Sequence, residues 1–230
     1  FQDIAVDSKD PDRLYNIYQP LSVSYDGGKS FDPTPMIPAD ETKGIHADFH
    51  AFWVNPNDPH HFIIGGDGGL GITYDHGKSW YFPETIPVAQ FYHIGVDHDR
   101  PYNVYGGMQD NGNWSGPGYT WKRGGIRTLY WQYLVGGDGF DISPDLDNSR
   151  FGYGSSQNGN LYQYDKLTGY YVSIQPPPPD PKTRLRFNWN AGFAQDPYDK
   201  NKAYYGSQFV HVTYDKGASW EIISPDLTTN

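Results

Sequence analysis

The sequence contains no cysteine, so no disulfide framework can hold its fold. Hydrophobic residues make up only 37% of the 230 residues, and no apolar run approaches the ~20 residues that a membrane-spanning helix needs. The 17 basic residues are outnumbered by 27 acidic ones and form no stripe. Because a net charge of −10 repels a phosphate backbone, nucleic-acid binding is not expected. Membrane insertion is not expected either, because the long apolar run that it needs is missing.

What the chain has in abundance is turn formers and rings, with 27 glycines, 19 prolines and 17% aromatic residues. A helical protein of this length would need far more alanine, leucine and glutamate. Short strands joined by tight turns, with tyrosine and tryptophan supplying the buried area, suit this composition. The composition therefore predicts an all-β chain.

One eight-residue pattern recurs along the sequence: Ser or Thr, any residue, Asp, any residue, Gly, any residue, Ser, aromatic. Three complete copies and one degenerate copy are present, with the aspartates Asp26, Asp75, Asp215 and Asp165. Since the interval between Asp75 and Asp165 is about twice the other intervals, a lost copy is expected near residue 120, within 118–125.

The pattern is typical of a β-hairpin. An aspartate at this position can accept backbone N–H groups across its own turn, and the glycine that follows can adopt a positive φ without steric cost. The final aromatic side chain is then expected to pack into the core between neighbouring sheets. We call this segment the box, and its four aspartates are predicted to have a structural role.

A second signature precedes each box: an alternating apolar run, an Asp or Asn, a turn and another strand. Together the two signatures define five units of about four short strands each, which is typical of propeller blades. A two-sheet sandwich would not repeat at this period. The units are predicted at about 1–45, 46–88, 89–134, 135–182 and 183–230, within a single β-propeller region.

The boxes resemble those of the Asp-box (BNR-repeat) β-propellers, a group that includes sialidases, xyloglucanase-type glycoside hydrolases and sortilin/VPS10 ectodomains. The segments HADFHAFWVNP, GGDGG, PYNVYGGMQDNG, RFNWN and SPDLT resemble large exported bacterial proteins of sortilin-like or glycosyl-hydrolase-like type. The resemblance implies an extracellular or periplasmic location. It also implies a ring of six to ten blades, so the five units are expected to be an arc of a longer chain that supplies the other blades.

Three polar residues alternate in the segment 44–53: His46, Asp48 and His50. If this segment is a strand, all three side chains point to one face. Such a comb would be able to ligate a divalent metal, the one cofactor that the sequence suggests, or to supply an acid or base near neutral pH. The alternative is that these side chains bond to neighbouring blades or line a wet central channel.

Further carboxylates follow glycine-rich strand ends in successive units, and repeat symmetry predicts them on one rim of the propeller. With Asp48, the candidate catalytic acids are Asp67, Asp110, Asp138 and Asp141. Glycosidases need two such acids across a sugar, although aspartates in turns also cap backbone amides. The predicted ligand-binding residues, polar or able to stack on a sugar, are His46, His50, Gln109, Asn111, Trp114, Trp131 and Arg186.

Two function classes follow from these residues. The first is a binding module that presents a rim or channel to a protein, peptide or glycan ligand, and the second is a glycoside hydrolase with paired aspartates. A sialidase is not expected, because it needs a Tyr–Glu pair and an arginine triad. The only glutamates are Glu41, Glu84 and Glu221, and the arginines are few and scattered.

Overall fold

β-Strands account for nearly all regular structure in the computed structural model, which describes residues 3–33, 36–37, 46–83, 86 and 88–229. Two three-residue 3₁₀ helices, Thr128–Tyr130 and Gln157–Gly159, are the only helical segments in these ranges, and neither is long enough to cross a membrane. The chain divides into two compact units on either side of the Val88–Ala89 bond. Glu41 and Glu84 lie outside the described residues.

The first unit contains two antiparallel sheets, each with its strands in chain order. The strands are β1 Asp3–Val6, β2 Leu14–Ile17 and β3 Leu21–Ser24 in one sheet, and β4 Phe49–Val54, β5 Phe62–Gly66 and β6 Gly69–Thr73 in the other. Tyr81 forms a bridge to Ile72 and extends the second sheet beyond β6. Phe62 is fully buried between the Tyr15 ring, 5.2 Å away, and the Trp80 ring at 5.6 Å.

The second unit contains three antiparallel sheets of four strands, again paired in chain order. The strands are β7 Phe91–Val96, β8 Asn103–Met108, β9 Gly112–Pro117 and β10 Gln132–Val135; β11 Ile142–Pro144, β12 Phe151–Ser156, β13 Asn160–Asp165 and β14 Tyr171–Ser173; and β15 Phe193–Gln195, β16 Ala203–Gly206, β17 Val210–Thr213 and β18 Glu221–Ile222.

Buried tyrosines on the second strand of each sheet, Tyr105, Tyr153 and Tyr205, hold the core of the second unit. Aromatic rings thus supply much of the buried apolar area that aliphatic side chains supply in most cores, as the composition predicts. The all-β fold, built of propeller-type sheets in which four consecutive strands pair antiparallel, is confirmed.

The described residues form five sheets, and the division of the chain into five units at the boundaries given above stays a prediction. β10, Gln132–Val135, extends past residue 134, where the third unit is predicted to end. The cause is the long connection 118–131 between β9 and β10, which contains the first 3₁₀ helix in place of a box hairpin.

The three complete boxes share one set of hydrogen bonds. In the second box, the Thr73 hydroxyl donates to Asp75 Oδ1 over 2.9 Å and accepts the Gly77 N–H, also over 2.9 Å. Asp75 accepts the backbone N–H of Ser79 at 2.9 Å and its hydroxyl at 2.6 Å. Gly77 has a φ of 80°, a value at which a side chain would be strained.

Asp165 makes different bonds, because the residue four positions later is Gly169 and offers no hydroxyl. Its carboxylate instead accepts two parallel bonds from the Arg150 guanidinium, at 2.7 and 2.6 Å, and the Leu167 N–H at 2.9 Å. The degenerate box is therefore closed by an ion pair where the complete boxes use a serine.

Candidate functional site

The acids predicted on one rim lie where the turn after a second strand meets the segment that leads into the next sheet. In the second unit, glycines allow the backbones of these two parts of the chain to lie very close together. A Cβ on Gly107 would collide with the Phe140 carbonyl oxygen, and a Cβ on Gly139 would collide with the Gly112 carbonyl oxygen. The Asp110 N–H donates to Asp138 Oδ1 over 2.8 Å. The structure therefore brings these two predicted acids together.

Asp138 is buried, with 7% of its surface exposed, and both of its carboxylate oxygens accept hydrogen bonds. Besides the Asp110 N–H, it accepts the indole N–H of Trp189 over 2.6 Å. Its own N–H donates to Gln157 Oε1 at 2.8 Å. Because the Trp189 ring is 55% exposed, a buried charge fixes the orientation of an aromatic surface that solvent can reach.

Asp141 pairs with a histidine on the neighbouring sheet. His93 Nδ1 lies 2.6 Å from Asp141 Oδ1, and this bond joins the first strand of one sheet to the segment before β11. The Asp141 N–H donates to the Ser155 hydroxyl at 2.9 Å. Since about half of the His93 side chain is exposed, the pair presents an oriented imidazole to solvent.

Tyr92 precedes His93 in β7, and its ring lies 4.5 Å from the Phe140 ring. Burial raises the pKa of Tyr92, and the negative charges of Asp138 and Asp110 raise it further. The phenol is therefore a hydrogen-bond donor at neutral pH. We call the following set the acidic rim: Tyr92, His93, Asp110, Asp138, Asp141 and Trp189.

Three of the predicted ligand-binding residues lie in or beside the turn that carries Asp110: Gln109 and Asn111 in the turn and Trp114 in β9. Trp114 Nε1 donates to the Asn111 carbonyl over 2.6 Å, and Asn111 Nδ2 donates to the Gln109 carbonyl at 2.9 Å. The Asn111 and Trp114 side chains thus fix the turn that carries Asp110.

The other two predicted ligand-binding residues of this unit lie outside the acidic rim. The Trp131 ring packs against Gly116, where a Cβ would be 2.5 Å from Trp131 Cδ2. The Arg186 guanidinium donates to Asp226 Oδ2 and to the Thr228 hydroxyl, each over 2.7 Å. Both side chains are held by neighbours on other elements.

In the first unit, His46, Asp48 and His50 do not form the predicted comb. β4 begins only at Phe49, and Asp48 has a φ of 67°, which breaks the alternation of a strand. His50 Nε2 lies 2.7 Å from Asp67 Oδ1, whereas His46 Nδ1 contacts the Ala47 carbonyl at 2.9 Å. Within the described ranges no three His, Asp or Glu side chains gather around a metal position.

Tyr92, His93 and Trp189 were absent from the residues that the sequence singled out. The repeat itself carries a signal for Trp189. Counting back seven residues from the Asn or Asp that follows each first strand, at 55, 97, 145 and 196, gives Asp48, Gln90, Asp138 and Trp189. One position of the unit therefore supplies both partners of the Asp138–Trp189 bond.

No family model and no curated protein sequence matches the chain. Among solved structures, it is similar to a GH74 xyloglucanase from Xanthomonas campestris at 16% identity, over 97% of this chain and 38% of that one, with a TM-score of 0.40. The GH74 enzyme of Niastella koreensis is 15% identical over 95% of this chain and 37% of that one, with a TM-score of 0.40. YCF48 bound to D1 peptide is 13% identical over 95% of this chain and 66% of that one, also with a TM-score of 0.40.

These similarities concern fold alone. The chain spans less than two fifths of the length of either GH74 enzyme.

Proposed function

We propose that the chain is a binding module of an exported Asp-box β-propeller and that its acidic rim receives a protein, peptide or glycan ligand. The observation that carries this proposal is the 2.6 Å bond between Trp189 Nε1 and the buried Asp138. A ring that is exposed yet fixed in orientation loses little conformational entropy when a ligand stacks on it. His93 and Tyr92 add polar groups beside the ring.

The state of the carboxylates favours binding over hydrolysis. A glycosidase needs one acid that can protonate a leaving group and a second that faces the sugar ring. Asp138 is almost completely buried and accepts bonds on both oxygens, and Asp141 is engaged with His93. Both acids therefore position aromatic rings, which is the task of a binding surface.

The propeller context belongs to the proposal as well. The boxes resemble those of sortilin-like and glycosyl-hydrolase-like exported proteins, and this resemblance implies a ring of six to ten blades that presents a rim or channel to a ligand. The present chain would then form part of such a ring, outside the cytoplasm, with further blades from a longer chain.

The experiment is a titration of panels of soluble oligosaccharides and peptides, followed by NMR, against the wild-type chain and Trp189→Ala. The variant should bind any rim ligand about 3- to 10-fold more weakly, the usual contribution of a stacked ring. Trp53→Ala, which removes a half-exposed tryptophan from the first unit, is the matched control and should bind normally.

Two results would overturn the proposal. One is a panel in which every ligand binds Trp189→Ala as well as the wild-type chain. The other is release of reducing ends that stops in Asp110→Ala or Asp141→Ala, which would make the protein a hydrolase.

A further inference from the structure

A polar and aromatic pocket lies at the opposite end of β9 from the acidic rim. β9 leaves the rim turn at Gly112 and reaches the pocket at Pro117, about 17 Å further along the strand. The connection 118–131, which replaces the box in this sheet, forms one wall. The cavity has a volume of about 370 Å³, within the range of small-molecule sites.

The pocket combines three kinds of side chain. Rings, carboxamides and ammonium groups come in pairs: Tyr119 and Tyr130, Asn103 and Gln132, Lys122 and Lys166. The two rings supply apolar faces. Asn103 Nδ2 already donates to Asp97 Oδ2 at 2.7 Å, and Gln132 Nε2 already donates to the Lys166 carbonyl at 2.5 Å, so these carboxamides offer a ligand chiefly their carbonyl oxygens as acceptors. The Thr120 hydroxyl adds a further polar group.

The two lysines differ in how far their charge is balanced. Lys166 Nζ donates to the Tyr105 hydroxyl over 2.6 Å and lies 4.0 Å from the buried Asp97 Oδ2, so its charge already has a partner. Lys122 Nζ lies 5.0 Å from the centre of the Tyr130 ring. In the part of the chain that the structure describes, Lys122 forms no ion pair.

The connection itself is unlike the rest of this acidic chain. Segment 118–131 carries Lys122, Arg123 and Arg127 and has no acidic residue, although the chain has 27 acids against 17 basic residues. Its other exposed side chains include Trp121, which is 87% exposed. The segment therefore brings positive charge and rings to one place.

We propose that this pocket binds an acidic sugar, a pyranose ring that carries a carboxylate. The Tyr119 and Tyr130 rings pack on the C–H face of such a sugar. The carbonyl oxygens of Asn103 and Gln132 accept from its hydroxyl groups, and the Thr120 hydroxyl donates to or accepts from them. The Lys122 ammonium then pairs with the carboxylate. A neutral sugar leaves the ammonium unused, and inorganic phosphate leaves the rings unused.

The test compares sugars that differ only at C6, galacturonate against galactose and glucuronate against glucose, by NMR titration of the whole chain at low and at physiological salt. The acids should bind at least several-fold more tightly than the neutral sugars, and the difference should shrink as salt screens the Lys122 charge. Inorganic phosphate and an oligoglutamate peptide form the remaining arms.

Lys122→Gln should remove the preference for the acids, and Tyr119→Ala should weaken both members of each pair by about 3- to 10-fold. Lys182→Gln and Tyr198→Ala make the same chemical changes at exposed positions outside the pocket and should bind as the wild type does. An unchanged melting temperature shows that each variant is folded.

Equal binding of acidic and neutral sugars would overturn the proposal, as would binding of phosphate or oligoglutamate that is as tight as that of the sugar acids. A preference for the acids that persists in Lys122→Gln would place the carboxylate elsewhere and would also overturn it. Because no residue of this pocket belongs to the acidic rim, these outcomes are independent of the rim titration.

Discussion

Lys216 Nζ donates to Asp145 Oδ2 over 2.5 Å, although 71 residues separate them, and this bond ties the third sheet of the second unit to the second. Lys216 follows the box aspartate Asp215 directly. The same arrangement occurs twice more, with Lys166 4.0 Å from Asp97 and with His76 3.4 Å from Asp7 in the first unit. The box therefore closes its own hairpin and also reaches the neighbouring sheet.

Lys216→Met should destabilise the second unit by about 2–4 kcal/mol. The Asp145 side chain is 3% exposed, so removal of its partner leaves a carboxylate charge buried and unbalanced. Chemical denaturation gives the loss, and the double variant Asp145→Asn/Lys216→Met should recover part of it.

Lys200→Met is the control for this change. Lys200 pairs with Asp147 at 2.8 Å, but the Lys200 side chain is 58% exposed and the Asp147 side chain 44%, so the loss should be much smaller than that of Lys216→Met. Equal losses in Lys200→Met and Lys216→Met would show that burial of Asp145 does not set the strength of the pair.

The boxes also predict how stability depends on pH. The Ser30 hydroxyl and N–H lower the pKa of Asp26 to about 2, and the same groups of Ser79 lower the pKa of Asp75 to about 2. Because the folded pKa lies below the ordinary value of 3.8, the stabilisation is complete above about pH 4 and is lost as the pH falls through 2.

Asp75→Asn should therefore melt at a lower temperature than the wild type at pH 7, and the two melting temperatures should converge between pH 4 and pH 2. Calorimetry across this range checks the expectation. Asp3→Asn, a substitution at an exposed strand end outside the boxes, is the control and should melt as the wild type does at pH 7. A constant difference between Asp75→Asn and the wild type down to pH 2 would contradict it.

How far the sequence predicts this molecule depends on how local each feature is. The hydrogen bonds of a box join residues at most four positions apart, so the eight-letter pattern contains every partner. The comb at His46 fails for the opposite reason. Asp48 adopts a left-handed conformation, and its N–H donates to the carbonyl of Gln19, 29 residues earlier. No local sequence pattern shows this contact.

For the same reason, only part of the candidate site can be predicted from the sequence. Asp138 is conspicuous among its glycines, but its partner Trp189 is 51 residues away, in the segment that leads into β15 of a neighbouring sheet. The pocket cannot be predicted from the sequence, because segment 118–131 has lost the box and matches neither of the two repeated signatures. Its long connection could be predicted from the gap in the repeat, whereas the cavity beside it could not.

Gly107→Ala tests the close approach on which the acidic rim depends. A Cβ at this position would collide with the carbonyl oxygen of Phe140, a backbone atom that cannot rotate away, so the variant should lose about 1–3 kcal/mol. Gly192→Ala is the matched control, since a Cβ there meets no atom within 4 Å. If both variants unfold at the same denaturant concentration, the approach of the two segments is not tight.

The pKa of Tyr92 tests the electrostatics of the acidic rim. Burial raises this pKa and the Asp138 charge raises it further, so Asp138→Asn should lower it. Asp141→Asn removes a charge from the same rim, but the charges that raise the Tyr92 pKa are those of Asp138 and Asp110, so this variant should lower the pKa less than Asp138→Asn does. Titration of ¹³C-labelled tyrosine by NMR measures each value, and Tyr92→Phe identifies the resonance.

An unchanged pKa in Asp138→Asn would mean that the phenol does not sense the buried carboxylate. A fall in Asp141→Asn as large as that in Asp138→Asn would mean that the charge of the whole rim, rather than Asp138, sets the pKa.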